Sequence, residues 1–96
     1  MSKNVRVGDI EIGPGRPLAL IAGPCALEDL DLALRVGEAV SSLCSRLGVP
    51  FIFKSSYLKD NRTSPGSYVG PGLDEGLRML AGVRERLGVP VLSDVH

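Results

Sequence analysis

Aromatic side chains are scarce in this chain: among 96 residues there is no tryptophan, and there are two tyrosines and two phenylalanines. A stacking platform for single-stranded nucleic acid is therefore not expected. An excess of one charge is also missing. The 11 Lys and Arg residues balance 11 Asp and Glu, for a formal net charge of zero. That balance argues against a nucleic-acid module or a binder of anionic membranes, both of which need a basic excess. No apolar run approaches the ~20 residues required to span a bilayer. Residues Met1 to Gly8 are interrupted by Lys3, Asn4 and Arg6 and lack a signal-peptide core, so a cytoplasmic protein is expected. Histidine occurs once, and the two cysteines, Cys25 and Cys44, permit one bridge at most. What is present is globular composition, 44% hydrophobic and 23% charged, at a length that suits a single domain, residues 1–96.

Strand and helix patterns alternate along the chain. Val5, Val7, Ile10 and Ile12 flank Gly8-Asp9, which predicts a short hairpin over 5–12. Leu18-Ala19-Leu20-Ile21-Ala22 is a continuous apolar run, as in a parallel-sheet strand buried on both faces. Leu32, Val36, Val40, Leu43 and Leu47 form one apolar stripe at helical period. Glu28, Asp29 and Asp31 stand near the start of that helix and Arg46 in its last turn, matching the helix dipole, and Gly48 suits a left-handed cap. Phe51-Ile52-Phe53 predicts a second strand. Leu73, Leu77, Leu80, Val83 and Leu87 predict a second helix with Gly88 as its cap, and Val91-Leu92 a third strand. Arg46-Leu47-Gly48-Val49-Pro50 recurs as Arg86-Leu87-Gly88-Val89-Pro90, each copy joining a helix end to a strand start. Repeated helix–Gly–strand units predict successive βαβ crossovers and a parallel sheet.

The fold class is α/β, with a doubly wound sheet and a (β/α)8 barrel both compatible. Three strands after a hairpin are under half of either, since a closed barrel typically takes about 250 residues. Three parallel strands alone also leave two long unpaired edges. The expectation is the first part of a larger domain, with a complete small α/β domain as the alternative.

In such sheets the chemistry gathers at the C-terminal ends of the strands. Three segments should converge there: Gly23-Pro24-Cys25, Lys54 to Gly72, and Ser93 to His96. The middle one is long for a strand–helix connection, which usually takes 2–6 residues. Lys54, Lys59 and Arg62 outweigh Asp60 there, and Ser55, Ser56, Thr63 and Ser64 add hydroxyls. Cations and hydroxyls near a helix N-terminus suit a phosphate monoester, with Arg62 as a bidentate clamp and the lysines as point charges. A solvated polar loop is the bland reading. Neither a Walker A pattern nor G-x-G-x-x-G is present, so nucleotide binding has no support. Cys25 could be a metal ligand, a nucleophile or a small buried hydrophobe. Cys44 belongs with helix packing, and a helix of some 15 residues, about 22 Å, should keep the two thiols beyond disulfide reach. Asp94 and His96 alternate along a strand end and can share a side, although a lone terminal histidine is more often incidental.

Five ordered blocks then carry a family resemblance: Ile21-Ala22-Gly23-Pro24-Cys25, Phe53-Lys54-Ser55-Ser56-Tyr57, Lys59-Asp60-Asn61-Arg62-Thr63-Ser64, Gly70-Pro71-Gly72-Leu73-Asp74-Glu75-Gly76 and Ser93-Asp94-Val95-His96. From about residue 18 onward the chain resembles the N-terminal part of the 3-deoxy-D-manno-octulosonate 8-phosphate synthase family. The resemblance implies a (β/α)8 TIM barrel, with 5–12 as its N-terminal hairpin and 18–96 as its first three strands and two helices. It implies a cytoplasmic homotetramer that condenses phosphoenolpyruvate with D-arabinose 5-phosphate and releases phosphate, in lipopolysaccharide sugar synthesis. Lys54, Ser56 and Lys59 match phosphoenolpyruvate-holding positions. Asn61, Arg62 and Thr63 match the segment that holds the pentose phosphate. Asp94 matches an acidic position near the sugar hydroxyls, and Lys59 and Asp94 are the implied catalytic pair. Cys25 matches the ligand for a divalent metal ion in the metal-dependent class, whose other ligands would lie beyond His96.

The chain departs from the family pattern at Asp60 and Thr63, and at Gly66 and Val69, where His and Arg are frequent. Those last two departures bear on the sugar-phosphate and cross-subunit contacts. Arg62-Thr63-Ser64-Pro65 also resembles the related 3-deoxy-D-arabino-heptulosonate 7-phosphate synthases, which use erythrose 4-phosphate. Asn61, where those enzymes typically have Pro, favours the first family. A non-catalytic fragment or a phosphate-binding half-module that needs a partner is the reading from a different class.

Overall fold

A computed structural model of the chain describes residues 4–57 and 72–94. Its elements are β1 (Val5–Val7), β2 (Ile10–Ile12), β3 (Leu20–Ala22), α1 (Leu30–Leu47), β4 (Phe51–Lys54), α2 (Leu73–Leu87) and β5 (Val91–Leu92). The architecture is mixed α/β: a two-stranded hairpin, and a parallel sheet in the order β3-β4-β5. Leu20, Ile21 and Ala22 stand opposite Phe51, Ile52 and Phe53, while Phe53 and Lys54 stand opposite Val91 and Leu92.

Local signals place both helices. The Asp29 carboxylate caps α1 by accepting the Leu32 N–H at 2.7 Å, satisfying one of the amides a helix start leaves open. Gly48 ends α1 at φ 70° and Gly88 ends α2 at φ 67°, both left-handed. The repeated pentapeptide does one job twice. After each cap its proline carbonyl accepts the N–H of the preceding strand, Leu20 to Pro50 at 2.8 Å and Phe53 to Pro90 at 2.9 Å. The repeat thus ends a helix and starts a strand pairing in one stroke.

The core gathers Leu27, Ala33, Leu34, Cys44, Phe51, Phe53, Leu80 and Val83, so both helices pack on the face of β4 that carries its two phenylalanines. The helical stripes are turned from those the periodicity predicts. In α1 the buried residues are Ala33, Leu34, Gly37 and Cys44, whereas Leu43 and Leu47 are 45% and 67% exposed. Close approach is the cause. A Cβ at Gly37 would come within 2.5 Å of Leu87 Cδ1 and 3.4 Å of Phe53 Cδ2, so the smallest residues occupy the contact and the leucines fall outside it. In α2, Leu80 and Val83 are buried as expected, but Leu73 and Leu77 are each 53% exposed.

The run before Gly23 also differs from its expectation. Only Leu20–Ala22 pair as a strand, and Leu18, Leu20 and Ile21 are 89%, 40% and 49% exposed. Strand β3 lies at an edge of the sheet, and no second layer covers its apolar residues among those described.

The hairpin pairs Val5 with Ile12 and Val7 with Ile10. Gly8 has φ 58° and no non-glycine residue among those described has positive φ, the pattern of a type II′ turn. A Cβ at Gly8 would stand 3.1 Å from Pro90 Cγ, so the hairpin lies at the N-terminal end of the sheet. Glu11 accepts from Asn4 at 2.8 Å and pairs with Arg16 at 3.3 Å. The Asn4 hydrogen bond first, and then the Arg16 charge, hold its carboxyl below the usual carboxylate range.

Candidate functional site

Successive side chains of a strand point to opposite faces. With Phe51 and Phe53 turned to the helices, Lys54 ends β4 on the other face, in register with Leu92. Two residues beyond those positions stand Ser56 and Asp94. The Lys54 ammonium lies 2.9 Å from Asp94 Oδ1, and the Ser56 hydroxyl donates to Asp94 Oδ2 at 3.1 Å. One carboxylate is therefore gripped through both oxygens, by a cation and a hydroxyl from the neighbouring strand. The ion pair is open to solvent, with side chains 42% and 40% exposed.

Backbone pairing continues past the strand ends and draws the third segment in. Ser56 N–H donates to the Cys25 carbonyl at 3.3 Å, Leu27 N–H to the Ser56 carbonyl at 3.0 Å, and Ser55 N–H to the Leu92 carbonyl at 3.3 Å. Gly23 is packed so closely on the Lys54 carbonyl that a Cβ there would collide with that oxygen. Together Ile21 to Cys25, Lys54, Ser55, Ser56 and Asp94 line a cleft of about 310 Å³. A larger groove of about 530 Å³ flanks β5, but Leu73, Leu77, Leu80, Ala81 and Val91 make it chiefly apolar. It reads as uncovered packing surface.

Of the residues singled out in the sequence, Cys25, Lys54, Ser56 and Asp94 thus meet at one sheet edge. Lys59, Asn61, Arg62 and Thr63 lie outside the described residues, as do Asp60, Gly66, Val69 and His96. The described residues on either side of positions 58–71 meet, Gly72 N–H donating to the Tyr57 carbonyl at 3.1 Å.

Two readings of single residues change. Ser55 is not a free hydroxyl beside the cations: it is 2% exposed and donates to the Pro24 carbonyl at 2.6 Å. Strand parity carries that signal, because Ser55 shares the parity of Phe51 and Phe53. Cys25 is not a small buried hydrophobe, because its thiol is exposed, whereas Cys44 is buried, and both are free. The described residues contain no group of three or more His, Cys, Asp or Glu able to hold a metal ion. Cys25 is one accessible sulfur donor where a catalytic metal site takes about three protein ligands, so this donor set does not form a metal site by itself.

Parallel strands that collect a lysine, a hydroxyl, a carboxylate and a thiol at their C-terminal ends define an α/β protein with an ionic site on its sheet edge. The chain belongs to the DAHP synthetase I family, which it matches over residues 2–96. It is 54% identical over 96 residues to the 2-dehydro-3-deoxyphosphooctonate aldolases of Citrifermentans bemidjiense and of Geobacter sp. strain M21, covering 100% of this chain and 35% of each relative. Against the protein of that name from Acidithiobacillus ferrooxidans it is 54% identical over 92 residues, 96% of this chain and 33% of the relative. The chain thus spans about 35% of the length of the curated relatives it matches first. No helix among the described residues is long and apolar enough to cross a membrane.

Proposed function

We propose that this chain supplies the first third of a (β/α)8 barrel that condenses phosphoenolpyruvate with D-arabinose 5-phosphate, forming a carbon–carbon bond and releasing phosphate. The observation that carries the reading is the meeting of Cys25, Lys54, Ser56 and Asp94 on one cleft, in a chain 54% identical to 2-dehydro-3-deoxyphosphooctonate aldolases. The exposed apolar residues Leu18, Leu20 and Ile21 on one side, and Leu73 and Leu77 on the other, are then the surfaces that the remaining strand–helix units cover.

Each residue takes a role its chemistry allows. Lys54 and Ser56, with Lys59, hold the carboxylate and phosphate of phosphoenolpyruvate as cation and hydroxyl donors. Arg62 grips the phosphate of the aldose, and Asn61 and Thr63 flank it. Asp94 accepts from sugar hydroxyls once an incoming anion takes the Lys54 ammonium, and with Lys59 it forms the catalytic pair. Cys25 contributes one thiolate to a divalent metal ion whose other ligands come from outside the described residues. A bound ion would polarise the aldehyde or orient the reacting atoms. We assign the whole assembly to the cytoplasm, as a homotetramer serving lipopolysaccharide sugar synthesis.

The test is phosphate release by the full-length protein with phosphoenolpyruvate and either aldose phosphate. Higher kcat/KM with arabinose 5-phosphate is expected. Preference for erythrose 4-phosphate would move the protein to the heptulosonate branch of the family. Arg62→Ala should raise KM for the aldose phosphate far more than for phosphoenolpyruvate; the opposite selectivity would show the two sets of roles to be exchanged. The uncovered apolar surfaces favour one second reading, in which residues 1–96 alone act as a half-module awaiting a partner. Steady phosphate release by the 96-residue chain alone would overturn that reading.

A further inference from the structure

The hydrogen bond between Ser55 and Pro24 is the shortest side-chain hydrogen bond among those described, at 2.6 Å, and it joins two strands at their functional ends. Its donor is 2% exposed, so water cannot stand in for it. Its acceptor immediately precedes Cys25. Among the described residues the Pro24 carbonyl accepts from no other donor, and proline has no N–H with which to hold its own position. Further along, the segment is tied by the Ser56 N–H to the Cys25 carbonyl at 3.3 Å and the Leu27 N–H to the Ser56 carbonyl at 3.0 Å. Before it, Gly23 rests against the Lys54 backbone. Between those anchors, among the described residues, the Ser55 hydroxyl is the side chain that hydrogen-bonds the Pro24-Cys25 peptide to the end of β4.

We propose that Ser55 is a positioning residue whose buried hydroxyl, by tying the Pro24 carbonyl to the end of β4, holds the Cys25 thiol over the cleft that Lys54, Ser56 and Asp94 line. Ser55 touches no substrate in this arrangement and acts through Cys25. The proposal deepens the reading of Cys25 as a thiolate metal ligand and rests on it for its consequence, though not for its geometry. A buried polar partner that orients a ligand is typically worth about 10–100-fold in metal affinity. That is the loss expected on removing the hydroxyl.

Two measurements separate the proposal from the metal reading. The first needs no metal. In the full chain, Ser55→Ala should speed amide hydrogen exchange at Leu27 and Ser56, while Ala33, bonded to the Asp29 carbonyl, and Phe53, bonded to Pro90, keep their rates. The pair Ser55→Thr and Ser55→Val, equal in volume, isolates the hydroxyl: Thr should exchange more slowly than Val at both sites. Unchanged exchange at Leu27 and Ser56, or equal acceleration at all four amides, would overturn the positioning role. The second adds Co(II) to the full-length protein and follows the sulfur-to-metal absorption band. Cys25→Ala should abolish the band, and Ser55→Ala should keep it at about 10–100-fold weaker apparent affinity. Unaltered affinity in Ser55→Ala would refute the proposal while leaving Cys25 a ligand. Absence of the band in the parent protein would refute the metal reading, and the exchange data would still decide on Ser55.

Discussion

Replacing Gly23 by alanine tests how the candidate site is built. A Cβ at this position would run into the Lys54 carbonyl oxygen, and would also stand 2.9 Å from the Lys54 carbonyl carbon and 3.3 Å from its nitrogen. Every one of those atoms is backbone in the central strand, fixed by pairing on both sides, so relief requires β3 and β4 to part. Overpacking of a well-filled site costs typically 1–3 kcal/mol, and an obstacle that cannot rotate away puts Gly23→Ala near about 3 kcal/mol. Gly37→Ala is the control. Its Cβ would meet the tip of Leu87 at 2.5 Å, a side chain that can swing, and alanine gains about 1 kcal/mol over glycine inside a helix. Its net effect should stay within about 1 kcal/mol of zero. Urea unfolding followed by circular dichroism reads both. At a slope of about 1.5 kcal/mol per M, a loss of about 3 kcal/mol lowers the midpoint by about 2 M. Equal shifts for the two variants would refute the distinction between backbone and side-chain obstacles, and a Gly23→Ala shift below about 0.5 M would refute the close packing itself.

Three further outcomes follow from named contacts. Asp29→Ala removes the cap on Leu32 N–H and should cost about 1 kcal/mol, read in the same unfolding assay; Asp29→Asn, which can still accept, should recover most of it. In the full-length protein, Asp94→Asn removes a half-exposed ion pair of the kind worth about 0.2–1 kcal/mol. Because Asp94 competes for Lys54, phosphoenolpyruvate should then bind up to about fivefold tighter by calorimetry, even as kcat falls. Binding weaker than in the parent would make Asp94 a holder of that ligand instead. The depressed Glu11 carboxyl contributes stability that is fully present above its unfolded-state value and is lost as pH falls through its lower folded value. Hairpin amides should therefore lose protection, measured against the intrinsic exchange rate at each pH, as pH drops below the usual carboxylate range, and Asn4→Ala should bring Glu11 titration back toward that range by NMR.

What the sequence discloses here is mostly what short-range chemistry decides. The Gly8-Asp9 hairpin, the left-handed Gly48 and Gly88 and the paired pentapeptides each depend on a few neighbouring residues, and each stands where the pattern puts it. The grouping of Lys54, Ser56 and Asp94 was legible from parallel-sheet topology, because strand ends share an edge. The face that α1 buries was not. Hydropathy favours Leu43 and Leu47, but contact distance favours Ala33 and Gly37, and nothing local reveals that Phe53 and Leu87 approach so closely. The exposure of Leu18 and Ile21 was equally hidden, since a continuous apolar run marks a strand meant to be covered without saying what covers it.

The site also shows why its residues cannot be read as independent groups. Strand β4 is central, and its C-terminal extension carries Lys54, Ser55 and Ser56 in succession. Lys54 and Ser56 reach across to Asp94 after β5, while Ser55 reaches the other way to Pro24 before Cys25. Alternation along one strand therefore divides the labour: even positions face the ionic cleft and the odd one fastens the neighbouring turn. A hydroxyl at 55 and a hydroxyl at 56 look interchangeable in sequence, yet one is sealed in the core and the other meets a half-exposed carboxylate. Exchanging their environments would take a one-residue slip of β4, which would also turn Phe51 and Phe53 out of the core. The same register that buries two phenylalanines thus presents the lysine, and the energetics of the core fix the geometry of the cleft.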